Sequence, residues 1–254
     1  MIDLQQAQRV FKEYVEQFDR TQEPIDLKYV HSVEVMKVMD YLADVVHLPS
    51  DLHDVACLIG LLHDYGRFEQ WYRYKNFSDA ETIDHADFSV YLLFDEGHIR
   101  HYIDDTSFDE MIKSAIQNHN KYAITGDYDE MTLLMCQMVR DADKIDNFRV
   151  REVMNIEVIF GCTIDEINHQ TITPAVYEQF IHHQLIRKDT RKTRLDVWLS
   201  HIAFIFDLNI PESLEYIKRH DYINHLFDMM DPVDEVVHEQ YMTLKQAALD
   251  YAYK

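Results

Sequence analysis

The most informative residues of the chain are a histidine and an aspartate that interrupt an apolar segment. His63 and Asp64 follow Leu61 and Leu62, in a stretch whose apolar spacing predicts a helix that faces the core. A neutral imidazole and an ionised carboxylate are costly to bury unless something satisfies them. One divalent cation satisfies both side chains at once, so the pair indicates a metal site.

Further candidate ligands fall in other segments with helical periodicity. Together with the pair, these histidines and acids form a short set: His31, His63, Asp64, His85, His119 and Asp143. If separate helices bring them together, they make a nitrogen and oxygen site that suits Mn, Fe, Zn, Co or Ni, and whose carboxylates also allow Mg. We therefore predict a site for one or two divalent metal ions.

The order of these residues resembles the HD-domain superfamily of metal-dependent phosphohydrolases. The signature of that superfamily is a histidine, then a His-Asp pair, then a distant aspartate on successive helices, and His31, His63 and Asp64 match its first part. The resemblance covers about residues 28–150. It implies an HD-domain-like helical bundle and hydrolysis of a phosphate ester by a metal-bound water.

Three acids compete for the place of the last ligand: Asp141, Asp143 and Asp146. In the related hydrolases the ligand directly precedes a basic residue, and here Lys144 follows Asp143. The resemblance therefore favours Asp143. On a helix, Asp141 lies on the neighbouring stripe, so Asp141 and Asp143 would not point identically at one ion.

The resemblance also suggests a second ion. In the dinuclear branches of the superfamily, the aspartate of the His-Asp pair bridges two ions, and two additional histidines complete the second site. His85 and His119 occupy those places. The chain departs from the HD-GYP cyclic-dinucleotide phosphodiesterases, because it has Asn120 where they carry a second consecutive histidine and it lacks their Gly-Tyr-Pro motif. Hydrolysis of cyclic dinucleotides is not expected.

Two basic residues lie beside candidate ligands and suit a phosphorylated substrate. Arg67 follows His63 by four residues and Lys144 is next to Asp143. Fixed cations stabilise the charge that accumulates on phosphoryl oxygens, and both positions match basic residues of related hydrolases. We assign the catalytic candidates as Asp64, Arg67 and Lys144. A basic segment, residues 187–194, either covers the phosphates or is a solvated helix connection.

The favoured function is an enzyme that hydrolyses a small phosphate ester or a nucleotide. Dinuclear-iron oxygenases of the same superfamily use the same order of ligands, so the ligands alone do not exclude redox chemistry. A third hypothesis is a non-catalytic, nucleotide-sensing helical module that keeps the metal for stability. Arg67 and Lys144 favour the phosphohydrolase.

The elements that must position these residues are predicted to be helices. Only 5 Gly and 5 Pro punctuate 254 residues, and helical periodicity recurs along most of the chain, so the predicted fold class is all-α. Capping boxes and first-turn prolines predict helix starts at Ser78 with Glu81, Ser107 with Glu110, Pro174, Pro211 and Pro232. We predict one domain over residues 1–254, with an HD-like core at about 28–150 and additional C-terminal helices at about 165–254.

The charge of the chain limits its partners. Lys and Arg total 24 against 46 Asp and Glu, a formal net charge of −22. Such a surface repels polyanions, so neither general nucleic-acid binding nor binding to an anionic membrane is expected. No apolar run is long enough to span a bilayer, and the 3 cysteines show no C-x-x-C spacing. These observations predict a cytoplasmic protein with reduced cysteines.

Overall fold

A computed structural model describes residues 2–153 and 155–254, apart from the side chains of Val158 and Ile159. All regular secondary structure in these residues is helical, which confirms the all-α prediction. Backbone contacts divide the chain into an N-terminal unit that ends at Asp146 and a C-terminal unit that begins at Asn147. The prediction of one domain over residues 1–254, with its core and C-terminal layer, stays a prediction.

Seven α-helices begin within the described part of the N-terminal unit. They are α1 (Leu4–Glu16), α2 (Glu23–Val45), α3 (Ser50–Leu62), α4 (Gly66–Tyr74), α5 (His85–Val90), α6 (Asp109–Asn118) and α7 (Glu130–Val153). A π-helical turn (Tyr91–Asp95) and two 3₁₀ turns (His98–His101 and Thr106–Phe108) lie between α5 and α6. The boundary between the two units falls within α7.

The helices α2 and α3 pack closely because a glycine lies at their contact. A methyl group added to Gly60 would lie 2.9 Å from the Met36 Cα and 2.8 Å from the Met39 Cγ. Overlaps of this size force neighbouring atoms to move in a densely packed interior. Gly60 therefore sets the close approach of the two helices that bring His31 and His63 together.

A second glycine sets the position of α5. A methyl group on Gly66 would lie 2.8 Å from the Ser89 backbone nitrogen and 2.9 Å from the His85 carbonyl oxygen. The Gly66 amide donates to the Ser89 hydroxyl at 2.7 Å, and that hydroxyl donates to the His85 carbonyl at 2.7 Å. The first turn of α4 is thus tied to the first residue of α5, which is His85 itself.

The C-terminal unit has its own apolar core. Its helices, beyond the end of α7, are α8 (Ile156–Phe160), α9 (Ile164–Asn168), α10 (Pro174–Ile181), α11 (Arg194–Ile202), α12 (Pro211–Arg219), α13 (Tyr222–Asp228) and α14 (Glu235–Ala252). Trp198, Phe180, Phe227 and Tyr241 are almost fully buried in it. The Tyr241 hydroxyl donates to the Phe227 carbonyl at 3.1 Å, so the core also contains a satisfied polar contact.

A buried carboxylate fixes the basic segment, residues 187–194, within the C-terminal unit. Asp196 completes a capping box with Thr193, the N-cap of α11, and accepts hydrogen bonds from the backbone amides of Lys192 and Thr193 at 2.8 and 3.0 Å. Arg187 forms an ion pair with Asp189, and both side chains are exposed. The predicted role of this segment over substrate phosphates stays a prediction.

The predicted helix starts are correct at two prolines and wrong elsewhere. Pro174 and Pro211 begin α10 and α12. Ser78, Ser107 and Pro232 do not begin helices, because aspartates a few residues away act as the caps. Those caps are Asp84 for α5, Asp105 for the 3₁₀ turn before α6 and Asp234 for α14. Among the described helices, none combines the length and the apolar character that crossing a bilayer requires.

Candidate metal centre

Four of the predicted ligands converge on one point, which we call the first half of the centre. The His31 Nε2 lies 3.2 Å from the His63 Nε2 and 3.1 Å from the Asp143 Oδ1. The Asp64 Oδ2 lies 3.7 Å from the His31 Nε2 and 3.6 Å from the His63 Nε2. His31, His63 and Asp64 are buried. The first half thus gathers two imidazole nitrogens and two carboxylate oxygens.

The remaining two histidines meet the other oxygen of Asp64, and we call this group the second half. The His85 Nε2 lies 3.3 Å from the Asp64 Oδ1 and 3.0 Å from the His119 Nε2. The His119 Nε2 lies 3.7 Å from the Asp64 Oδ1. Asp64 therefore presents one carboxylate oxygen to each half. All six predicted ligands lie in one cluster, although their binding of a metal stays a prediction.

The orientation of each histidine ring is fixed by a hydrogen bond at its Nδ1. The His63 Nδ1 faces the Gly60 carbonyl at 2.8 Å, and the His119 Nδ1 faces the Ile116 carbonyl at 2.7 Å. The other two rings face carboxylates at 2.6 Å: the contacts are His31 with Asp146 and His85 with Asp79. These acceptors place the proton on Nδ1, so the neutral ring offers its lone pair at Nε2.

The distances between these donor atoms fit divalent metal ions. Two nitrogens that each lie about 2.1 Å from one ion, at right angles to each other, are about 3.0 Å apart. The His85 and His119 Nε2 atoms are 3.0 Å apart, and those of His31 and His63 are 3.2 Å apart. Facing lone pairs at this distance repel unless a cation lies between them. The donor set thus suits one ion in each half.

His31 differs in protonation state from the two histidines His63 and His85. Burial lowers the pKa of His63 to about 3 and the pKa of His85 to about 4, so both rings are neutral near pH 7. Burial also acts to lower the pKa of His31, but its hydrogen bonds to Asp143 and Asp146 prevail and raise that pKa to about 9. His31 therefore holds a proton that a metal ion has to displace.

The comparison with known protein families agrees with this geometry. The HD-domain family matches residues 29–147, a range that contains all six candidate ligands. This match assigns residues 29–147 to the HD-domain superfamily. Its members are commonly metal-dependent hydrolases, and the clusters of His and Asp in this HD domain could hold such metals. No curated protein and no solved structure shows a significant match to the chain.

A lysine that directly precedes the matched range lies at the first half, and it was not among the residues predicted from the sequence. The Lys28 Nζ lies 2.7 Å from the Asp64 Oδ2, and its side chain is 20% exposed. Burial would raise the pKa of Asp64, but Lys28 and His63 hold it well below its usual range. Lys28 precedes His31 by three residues on α2, and this spacing on one helix face was a usable signal.

Arg67 lies beside the second half and is held by a fixed network. Its Nη1 donates to the Phe77 carbonyl at 2.7 Å, to Gln70 at 2.8 Å and to the Asp79 Oδ1 at 2.9 Å. Its buried Nε lies 3.5 Å from the Asp64 Oδ1, beyond hydrogen-bond distance, and has no other partner among the described atoms. The catalytic role of Arg67 stays a prediction, but its charge lies next to a candidate ligand.

Asp79 was also missed, and it connects Arg67 to the second half. One of its oxygens accepts from Arg67, and the other contacts the His85 Nδ1 at 2.6 Å. Burial would raise the pKa of Asp79, but the hydrogen bond with His85 and the charge of Arg67 lower it. Asp79 lies in the connection between α4 and α5, where helical periodicity carries no information about side-chain direction.

The end of α6, where His119 lies, is held by a buried arginine of α7. The Arg140 Nη1 donates to the Asn118 carbonyl at 3.0 Å and to the Lys121 carbonyl. A guanidinium satisfies the unpaired carbonyls at a helix end and offsets the negative end of the helix dipole. Lys144 is buried on the same α7, and its predicted catalytic role stays a prediction.

The His-Asp pair lies in a turn between two helices. Its apolar context had instead predicted a position within one helix. α3 ends at Leu62 and α4 begins at Gly66. Within this link, the Tyr65 amide donates to the Leu62 carbonyl at 3.0 Å and the Arg67 amide to the Asp64 carbonyl at 2.9 Å. These tighter bonds to the third residue back keep the link nearly helical. His63 and Asp64 therefore keep positions close to those of a continuous helix.

Proposed function

We propose that the chain is a metal-dependent phosphohydrolase that acts on a small phosphate ester or a nucleotide. The observation that supports this most strongly is the position of Asp64, whose two carboxylate oxygens each face a separate pair of histidine Nε2 atoms. Divalent ions held there supply a Lewis acid and a water molecule of lowered pKa.

The chain's own residues prepare the centre for this reaction. Each Nδ1 contact fixes a ring so that its Nε2 faces the cluster, which lowers the cost of reorganisation when ligands and substrate bind. Burial keeps His63 and His85 neutral, so these two nitrogens are available without loss of a proton. The centre is therefore preorganised for a cation.

Two cations flank Asp64 and support a phosphorylated substrate. Lys28 is next to Asp64 Oδ2 in the first half, and Arg67 is next to Asp64 Oδ1 in the second half. Both also lie near one aromatic ring, since the Lys28 Nζ is 5.9 Å and the Arg67 Cζ is 5.6 Å from the centroid of Phe77. Fixed positive charges of this kind stabilise the oxygens of a phosphoryl group during its transfer.

The test begins with elemental analysis of the purified protein. Phosphate release is then measured on a panel of nucleotides and sugar phosphates with Mn²⁺, Co²⁺, Mg²⁺ and Fe²⁺. We expect release with at least one pair of metal and substrate, and its loss in His63→Ala. A matched control is His169→Ala, because His169 is largely exposed and pairs with Asp165 in the C-terminal unit. Background release under every condition would contradict the proposal.

The same preparation separates the rival functions. An oxygenase would retain iron and consume oxygen in the presence of its substrate, with no phosphate released. A nucleotide-sensing module would bind a nucleotide, and His63→Ala would change that binding with no turnover to lose. The cations beside Asp64 favour a phosphorylated substrate over an oxygenase reaction, because each half of the centre has its own positive group for a phosphate, and turnover separates the enzyme from the sensing module.

A further inference from the structure

A second group of side chains of metal-binding types lies on α2 and α3. It is distant from the cluster of six candidate ligands described above, which we call the HD centre. The His53 Nε2 is 2.8 Å from the Asp40 Oδ1, and the Cys57 Sγ is 3.7 Å from the same oxygen. One donor atom from each of these three residues lies within 4.8 Å of the other two. Asp40 is nine residues beyond His31, about 13 Å along a helix axis. The group is therefore separate from the HD centre.

The residues of this group are spaced along α2 and α3 as in a metal site that is built on two neighbouring helices. His53 and Cys57 are four residues apart on α3, and Asp40 and Asp44 are four residues apart on α2. This spacing places both members of each pair on one helix face. The His53 Nδ1 lies 3.6 Å from the Asp44 Oδ1, so the imidazole lies between the two carboxylates.

The charge around the group is negative and lacks a fixed cation. Asp40 and Asp44 form their ion pairs with His53, and no Lys or Arg in residues 2–153 or 155–254 pairs with either of them. Burial and the neighbouring carboxylate of Asp40 raise the pKa of the Cys57 thiol to about 12. A divalent cation would offset the negative charge of the two carboxylates and would favour the Cys57 thiolate, which is the form that binds metals.

We propose that Asp40, His53 and Cys57, with a solvent molecule as the fourth ligand, bind one Zn²⁺ or a similar divalent ion that accepts sulfur, while Asp44 faces the other ring nitrogen of His53. Ligand atoms at about 2.0–2.3 Å from a tetrahedral ion are about 3.3–3.7 Å apart. The two contacts of Asp40, at 2.8 and 3.7 Å, reach this arrangement with shifts of about 0.5 Å or less, and the donor atoms of His53 and Cys57 lie within 4.8 Å of each other. On binding, the Cys57 S–H bond breaks, the sulfur keeps the electron pair for the metal, and the proton leaves to solvent.

The ion would join the last part of α2 to the first part of α3. These helices carry His31 and lead into His63, so the site would brace the two elements that form the first half of the HD centre. Because the brace is remote from the six HD ligands, its effect is expected on stability and not on the chemistry of the reaction. We expect Zn²⁺ to raise the Tm of wild type more than that of Cys57→Ser.

Sulfur makes the site distinguishable from the HD centre. All six HD candidates offer nitrogen or oxygen, whereas Cys57 offers a thiolate, which gives bound Co²⁺ a charge-transfer absorption in the near ultraviolet. The metal-free full chain is titrated with Co²⁺ while this absorption is followed. We expect its final intensity to correspond to one thiolate-bound ion per chain, reached within about three equivalents because the HD centre takes up Co²⁺ as well, and we expect it to disappear when Zn²⁺ is added.

Three variants show which residues are responsible. Cys57→Ser should abolish the absorption, and Asp40→Asn should weaken Co²⁺ binding about tenfold or more. Cys136→Ser is the matched control, because Cys136 is also a buried helical cysteine but belongs to no group of candidate ligands among the described residues. Cys162→Ser serves as the control for the more exposed thiol. Both controls should keep the absorption.

Two outcomes with the wild type and Cys57→Ser would overturn the proposal. The first is the absence of any thiolate absorption in wild type, and the second is an absorption that persists in Cys57→Ser. Circular dichroism checks that each variant folds. Asp40→Asn keeps the test decisive if Cys57→Ser does not fold, because the Asp40 side chain is 60% exposed and its amide analogue fits the same space. Undiminished binding in Asp40→Asn would therefore also contradict the site.

Discussion

The two halves of the HD centre share one plan and differ in charge. Each half has one histidine held by a carboxylate at 2.6 Å and one held by a carbonyl three residues earlier. Among the residues that the structure describes, only the first half adds a second carboxylate, Asp143, and has a lysine in direct contact with a ligand oxygen. If both halves bind ions as proposed, this difference predicts a different affinity and a different competition from protons in each half.

The largest effect is expected from the residue that the halves share. Asp64→Asn replaces one carboxylate oxygen by an amide group that donates hydrogen bonds and cannot bind a cation. We expect both halves to lose metal and phosphate release to fall about a thousandfold or more, about 4 kcal/mol of transition-state stabilisation. Metal content and initial rates are measured beside Asp165→Asn, a largely exposed aspartate. Retention of full metal content would refute the shared role.

A pH series separates the halves by their histidines. The pKa of His31 is raised to about 9, so below that pH a proton competes with the first ion, and its apparent affinity should fall about tenfold per pH unit. Between pH 8.5 and pH 6.5, the apparent affinity of the first half for its ion should therefore fall about a hundredfold. The pKa of His85 is lowered to about 4, so His85 causes no such competition in this range. Chelator-competition titrations with Mn²⁺ would show two phases, and identical slopes in both would contradict this difference.

A pair of matched substitutions tests whether each half is supported independently. Asp146→Asn removes the carboxylate behind His31, and Asp79→Asn removes the one behind His85, from equal distances of 2.6 Å. Such outer carboxylates contribute about 10- to 100-fold to metal affinity. We expect each variant to weaken one phase of the titration and to leave the other within about threefold. Equal weakening of both phases by either variant would mean that the halves are not separate.

The smallest expected effect concerns the lysine of the first half. Lys28→Met removes an ammonium that lies 2.7 Å from a ligand oxygen and keeps most of the side-chain volume. Without this competitor, the first ion should bind about tenfold tighter, while kcat should fall about tenfold because a phosphate contact is lost. Lys37→Met is the control, since Lys37 is an exposed residue of the same helix that pairs with Glu34. Tighter metal binding with unchanged kcat would show that Lys28 does not assist the substrate.

The order of the candidate ligands was predictable from the sequence, because helical periodicity marks which polar residues face an apolar interior. His31 and His119 interrupt such stripes in α2 and at the end of α6, and the structure brings both into the cluster. Asp143 was preferred over its neighbours through the family resemblance. Its Oδ1 lies 3.1 Å from His31, while Asp146 lies behind the same ring.

The features that the sequence could not predict depend on the paths of connecting segments and on close contacts between residues that are distant in sequence. Asp79 lies in a connection where no repeating pattern fixes the direction of a side chain, and it reaches His85 only because that connection folds back. The start of α5 was misplaced at Ser78, because a turn beginning there satisfies the same local spacing as a capping box, whereas Asp84 is the actual cap. The close approaches at Gly60 and Gly66 depend on neighbouring helices and leave no local signature.

Side chains from one helix, α7, support both halves of the centre. Asp143 and Asp146 serve the first half, and Arg140 of the same helix holds the end of α6 on which His119 depends. One residue inserted between Arg140 and Asp143 would turn these groups by about 100° relative to each other. The guanidinium and the two carboxylates could then no longer reach their partners together. The number of residues between them on α7 therefore determines whether both halves can form.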